Sequence, residues 1–101
     1  MADGSKTECR TPTPGRDGAT RIPTWKFDAL RAAILDAVGA AGGTGLPFAD
    51  LPAEVATRLD DTLRAKLGSV SWHTTTVKLE LEVRGELARL PGSGPQRLVL
   101  A

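Results

Sequence analysis

The sequence has little from which to build catalytic chemistry. One cysteine, Cys9, stands among 101 residues, so no internal disulfide can form and a reducing, cytoplasmic setting is expected. His73 is the single histidine, tyrosine is absent, and two Phe and two Trp supply every aromatic ring. Neither sign of charge dominates: 13 Lys and Arg face 12 Asp and Glu, a formal net charge of +1. Dedicated nucleic-acid binders usually carry a clear basic excess, so any DNA affinity would have to come from local patches. No apolar run approaches the ~20 residues that cross a bilayer, and Met1 to Ser5 open no apolar stretch of the signal-peptide kind. No membrane partner is expected.

The same scarcity excludes most active sites. A metal centre needs three or four ligands at recognisable spacing, and neither a C-x-x-C nor an H-x-x-x-H occurs. There is no G-x-S-x-G elbow, no P-loop and no G-x-G-x-x-G. Cys9 and His73 are far apart in the chain. Gly43-Thr44-Gly45 reads as a helix terminator, and Asp60-Asp61 as a solvated polar stretch whose carboxylates point to different faces. The expectation is a protein that is not an enzyme, with no cofactor, metal or small-molecule ligand.

What is present is an aliphatic core pattern. Residues 1–20 are rich in Gly, Pro, Thr and charge without period, which predicts a flexible arm ahead of a domain over 21–101. Thr20-Arg21-Ile22-Pro23 reads as a short edge strand. A helix is predicted from Thr24 as its N-cap, with Phe27, Leu30, Ile34 and Val38 on one face, stopped by the glycines from Gly39 to Gly45. Leu46-Pro47-Phe48 is an apolar bridge. A second helix begins after Asp50, lines up Leu51, Val55 and Leu59, and ends between Leu59 and Leu67.

From Ser71 to Arg84 two readings compete. Val77-Lys78-Leu79-Glu80-Leu81-Glu82-Val83 alternates as a strand does. At 100° per residue the same stretch is a helix with two apolar stripes, Trp72, Thr76, Leu79 and Val83 on one side and Thr74, Val77 and Leu81 on another. Beyond Gly85, Glu86 to Leu90 and Gln96 to Leu100 flank the turn Pro91-Gly92-Ser93-Gly94-Pro95 and read as a hairpin.

The junction Leu81-Glu82-Val83-Arg84-Gly85-Glu86-Leu87 resembles the passage from third helix to wing in many bacterial winged-helix regulators. That resemblance favours helix over strand for 71–84. It implies an α+β fold, a winged helix-turn-helix with three helices and a C-terminal β-hairpin wing. The chain also resembles a family of small, functionally uncharacterised bacterial proteins. The pieces that carry this are Thr11-Pro12-Thr13-Pro14-Gly15-Arg16, Thr20 to Asp28 through Ile22-Pro23-Thr24-Trp25, and Trp72 to Gly85. The second resemblance implies a partly ordered arm and brings no activity with it.

A winged helix leads to the expectation of a DNA-binding, regulator-like protein with double-stranded DNA as partner. The third helix would enter the major groove, with His73, Thr74, Thr75, Lys78 and Arg84 at bases or backbone. Arg89 and Arg97 on the wing would hold phosphates, and Lys6, Arg10, Arg16 and Arg21 on the arm would add contacts. Glu80 and Glu82 in the same helix would repel phosphate. The alternative is a winged-helix protein-interaction module without nucleic-acid binding. A helix apolar on two sides must be covered twice, by the hairpin, by the arm, or by a second copy in a homodimer. Trp72 is expected as a core anchor, and Trp25 as a staple for the first helix.

Overall fold

Pro23 decides where the first long helix begins. Its ring fixes φ at −53° and its ψ of 134° is extended, so the helical turn starts with the next residue. The computed structural model describes residues 4–12, 18–92 and 94–101. Arg16 and the Thr13, Pro14 and Gly15 of the resemblance fall outside them. Helix α1 spans Thr24–Ala41. Thr24, expected as its N-cap, lies inside the first turn, and its hydroxyl instead meets that of Thr7 at 2.9 Å. The helix continues through Gly39 and ends at Gly42, whose φ of 71° suits glycine.

The second predicted helix is two. A 3-10 turn at Phe48–Asp50 leads into α2, Leu51–Thr57, and after a break α3 covers Asp61–Leu67. Asp60 makes the break: with ψ 169° it cannot continue a helix, and its carboxylate accepts the Leu63 amide at 2.8 Å to cap α3. The pair read as a solvated polar stretch therefore contains an N-cap, and the described residues form four α-helices where three were expected. Ser69 caps α4, Val70–Val83, accepting from the Trp72 amide at 3.1 Å. The ambiguous stretch is thus helical.

Gly85, at φ 78°, turns the chain out of α4 into strand β4 of the hairpin. Numbered along the chain, the strands are β1 (Lys6–Cys9), β2 (Thr20–Pro23), β3 (Leu46–Pro47), β4 (Leu87–Arg89) and β5 (Arg97–Leu100). β4 and β5 pair antiparallel, with Leu87 opposite Leu100 and Arg89 opposite Leu98. The apolar bridge, β3, adds to the other side of β5, so the sheet order is β3-β5-β4. Gly45 lets β3 approach this closely: its φ is +84°, and a Cβ there would stand 2.9 Å from Leu90 Cδ1. β1 and β2 form a separate antiparallel pair, with Cys9 opposite Thr20. The stretch read as an arm therefore contributes a strand.

The core follows the periodicity. Phe27, Leu30, Ile34 and Val38 of α1 are buried against Leu51 and Val55 of α2, Val77 and Leu81 of α4, and Leu46, Leu87 and Leu98 of the larger sheet. Each such side chain contributes about 1.5–3 kcal/mol through the water it leaves. The fold of the described residues is a mixed α+β arrangement of four α-helices and two small sheets. No helix among the described residues is long and apolar enough to cross a membrane.

Candidate interaction surface on the fourth helix

Helix α4 is packed from several directions. Helices α1, α2 and α3, strand β1 and strand β4 all touch it. The N-terminal strand and the hairpin therefore flank α4 without closing over its second stripe.

This packing encloses charges that the sequence suggested were free. Glu80 is 1% exposed. Its Oε1 accepts the Arg10 backbone amide at 2.8 Å and Arg10 Nε at 3.0 Å, while Oε2 accepts Arg10 Nη2 at 2.7 Å and Arg84 Nε at 2.8 Å. Burial alone would push the Glu80 carboxyl up. The hydrogen bonds from Arg10 and Arg84 outweigh it and hold the group down at about 2. Glu82, nearly buried, takes Lys78 Nζ at 2.6 Å and Arg89 Nε at 2.5 Å. Neither glutamate projects a bare negative charge.

The seven residues read as nucleic-acid contacts are dispersed by the same packing. Thr74 is fully buried in the core, and its hydroxyl has no hydrogen-bond partner among the described residues. Lys78 is 2% exposed and lies over the Phe48 ring at 4.6 Å; burial lowers its pKa, with Glu82 opposing. Neither offers its polar atoms to a groove. His73 turns Nδ1 to the Ser69 carbonyl at 2.7 Å, and its ring meets Trp72 edge-on at 4.8 Å. Thr75 is half-buried. Arg84 stacks over Phe27 at 4.6 Å while bonding Glu80, and Arg89 is held by Glu82. Arg97 is exposed near the hairpin tip, and its guanidinium donates to the Gly45 carbonyl at 3.3 Å. Of the arm cations, Arg10 is spent on Glu80, Arg21 lies 3.8 Å from Glu8, and Lys6 is exposed.

What α4 does present outward is uncharged. Trp72, Thr76, Leu79 and Val83 fall within roughly 60° of one another at 100° per residue, opposite the buried Thr74, Val77 and Leu81. Trp72, expected as a core anchor, is 49% exposed, because Val77 and Leu81 already fill the space facing α1 and α2. Thr76, Leu79 and Val83 are half-buried. Thr76 turns its hydroxyl back to the Trp72 carbonyl at 2.9 Å, leaving its methyl on the stripe. Beside the stripe is an open hollow of about 490 Å³, lined by Cys9, Arg10, Gly18, Thr20, Thr76 and Leu79 among others. A helix whose solvent side is apolar while its flanks hold the charges inverts the ordinary amphipathic pattern.

Residues 6–98 match the model of a family of unknown function, DUF6958. The chain belongs to this family. The match takes in β1, the four described helices and the first half of β5, so both Arg10 and Glu80 lie within the matched span. No curated protein and no solved structure matches the chain. Among the described residues no group of three His, Cys, Asp or Glu side chains is placed to hold a metal ion.

The sequence singled out the stripe residues by their spacing, expected Trp72 as a core anchor, and left the stripe to be covered by the hairpin, the arm or a second copy. The Arg10–Glu80 contact, 70 positions apart, had no local signal.

Proposed function

We propose that this chain is a winged-helix-type protein-interaction module that engages a partner through the outward stripe of α4. The order α1, α2 with α3, α4 and then a hairpin, with β3 added to the hairpin, supports the winged-helix assignment. One observation carries the functional reading: the solvent face of α4 is Trp72, Thr76, Leu79 and Val83, while its cations Lys78 and Arg84 are tied to glutamates. An apolar face suits a protein surface that removes it from water. Phosphates would find few free cations there.

Duplex DNA is the second reading, and exposed Arg97 at the hairpin is what favours it. Fluorescence anisotropy with labelled random duplex at about 50 mM salt separates the two. The expected result is no measurable binding, together with binding of a hydrophobic dye that is lost in Trp72→Ala and Leu79→Ser. Salt-sensitive duplex binding that weakens in Arg97→Ala, with dye binding indifferent to Trp72, overturns the proposal in favour of DNA.

A further inference from the structure

We propose that the β1–β2 hairpin is a strap that detaches from α4 while the helical core stays folded, with Arg10 on Glu80 as its latch. The strap thereby masks one flank of the docking stripe. This inference rests on the interaction reading above for its purpose, but not for its mechanics.

The hairpin is a sheet of its own and shares no strand with β3-β5-β4. A two-stranded ribbon is at best marginal alone, so its order comes from docking. That docking is thin. Among the described residues of the hairpin only Cys9 and Ile22 are buried, whereas Lys6, Glu8, Thr20 and Arg21 are exposed. Near the start of β1 the polar ties include the Thr24 amide on the Ser5 carbonyl at 3.0 Å and the Thr7–Thr24 hydroxyl contact. At its other end stands the fan of three hydrogen bonds from Arg10 to Glu80. Segments with few buried apolar side chains open at lower free energy than the core they rest on.

The two partners of Glu80 make release tolerable. The Arg10 side chain is already 55% exposed, so on leaving it passes into water with little change. Glu80 is not orphaned, because Arg84 Nε remains at 2.8 Å on the same helix. A buried carboxylate with one counter-ion on its own helix and one on a removable strand stays compensated in both states. Lifting β1 opens the 490 Å³ hollow and joins the surface around Glu80 to Thr76 and Leu79 of the stripe. The closed strap is thus an autoinhibitory contact.

Cys9 reports the motion. It is 5% exposed at the end of β1, and burial first, then the nearby Glu80 charge, push its thiol up to about 11. Docked, it is shielded and protonated; lifted, it is an ordinary reactive thiol.

The test is Cys9 labelling by a small alkylating reagent at increasing urea, beside global unfolding followed by circular dichroism. For the unaltered chain, labelling is expected through an opening whose urea dependence is a small fraction of that of global unfolding. Arg10→Ala is expected to speed labelling about tenfold or more, with the helical signal unchanged. Labelling with the urea dependence of global unfolding, or a rate indifferent to Arg10→Ala, overturns the strap. The first comparison needs no variant, so a poorly folding substitution does not remove the test. Hydrophobic-dye binding adds the second arm: it is expected to be about twofold or more greater in Arg10→Ala than in the unaltered chain. Equal dye binding in the two proteins, with fast labelling in Arg10→Ala, sinks the masking role and leaves the strap standing.

Discussion

Consider Glu80→Gln. The amide keeps the shape of the side chain and one oxygen for the Arg10 backbone amide, but removes the charge that Arg10 and Arg84 share. Linkage sets an upper limit on the loss. A carboxyl that titrates near 4.5 when unfolded and at about 2 when folded contributes at most about 3 kcal/mol at neutral pH. Water reaches the partners, since Arg10 is 55% and Arg84 36% exposed, so screening reduces this to about 1–2 kcal/mol. The larger penalty for breaking a fully buried pair does not apply, because both guanidinium groups left behind can turn to solvent. For a domain of this size the loss lowers Tm by about 5–10 °C. The sign with pH is fixed by the depressed pKa. The contribution is complete above about pH 4.5 and is lost as the pH falls toward 2, where the folded carboxyl also takes up its proton. Urea unfolding of both proteins at several pH values reads this out. A stability gap that is present at pH 7 and closes between pH 4.5 and 2 is expected. A gap of zero at pH 7, or one that persists unchanged to pH 2, refutes the electrostatic account.

Gly45→Ala is expected to cost more than 1 kcal/mol in thermal unfolding, since φ is +84° and the new methyl meets Leu90 and Arg97. Asp60→Ala and Ser69→Ala each remove a helix cap and are expected to lower stability by about 1 kcal/mol in urea titration. Leu81→Ala, at a fully buried site, is expected to cost about 2–5 kcal/mol by the same measurement. Trp72→Ala is expected to change stability by less than about 0.5 kcal/mol while abolishing dye binding; a large loss would return Trp72 to the core.

Local signals carried much of the fold. Phe27, Leu30, Ile34 and Val38 repeat at the helical period, and Gly85 with the later Gly/Pro turn marks where helix gives way to hairpin. Such features depend on residues a few positions apart, so a linear reading reaches them. The break between α2 and α3 was less legible, because Asp60 serves equally as a surface residue within a helix and as a cap before one. The choice falls to the packing of Leu59 and Leu67, both buried at the ends of that interval.

The sequence by itself determined the main helices, the hairpin and the apolar face that each turns inward, through periodicity and backbone chemistry. Only the tertiary structure decided which charges are available. Lys78 and Glu80 have the composition of a solvated helix face, yet Phe48, Glu82, Arg10 and Arg84 converge on them from other elements. Whether a charged group is exposed or enclosed depends on partners distant in the chain, and no spacing rule along one helix contains that information. The same closure around the flanks of α4 left Trp72, which the sequence suggested as a core anchor, facing water.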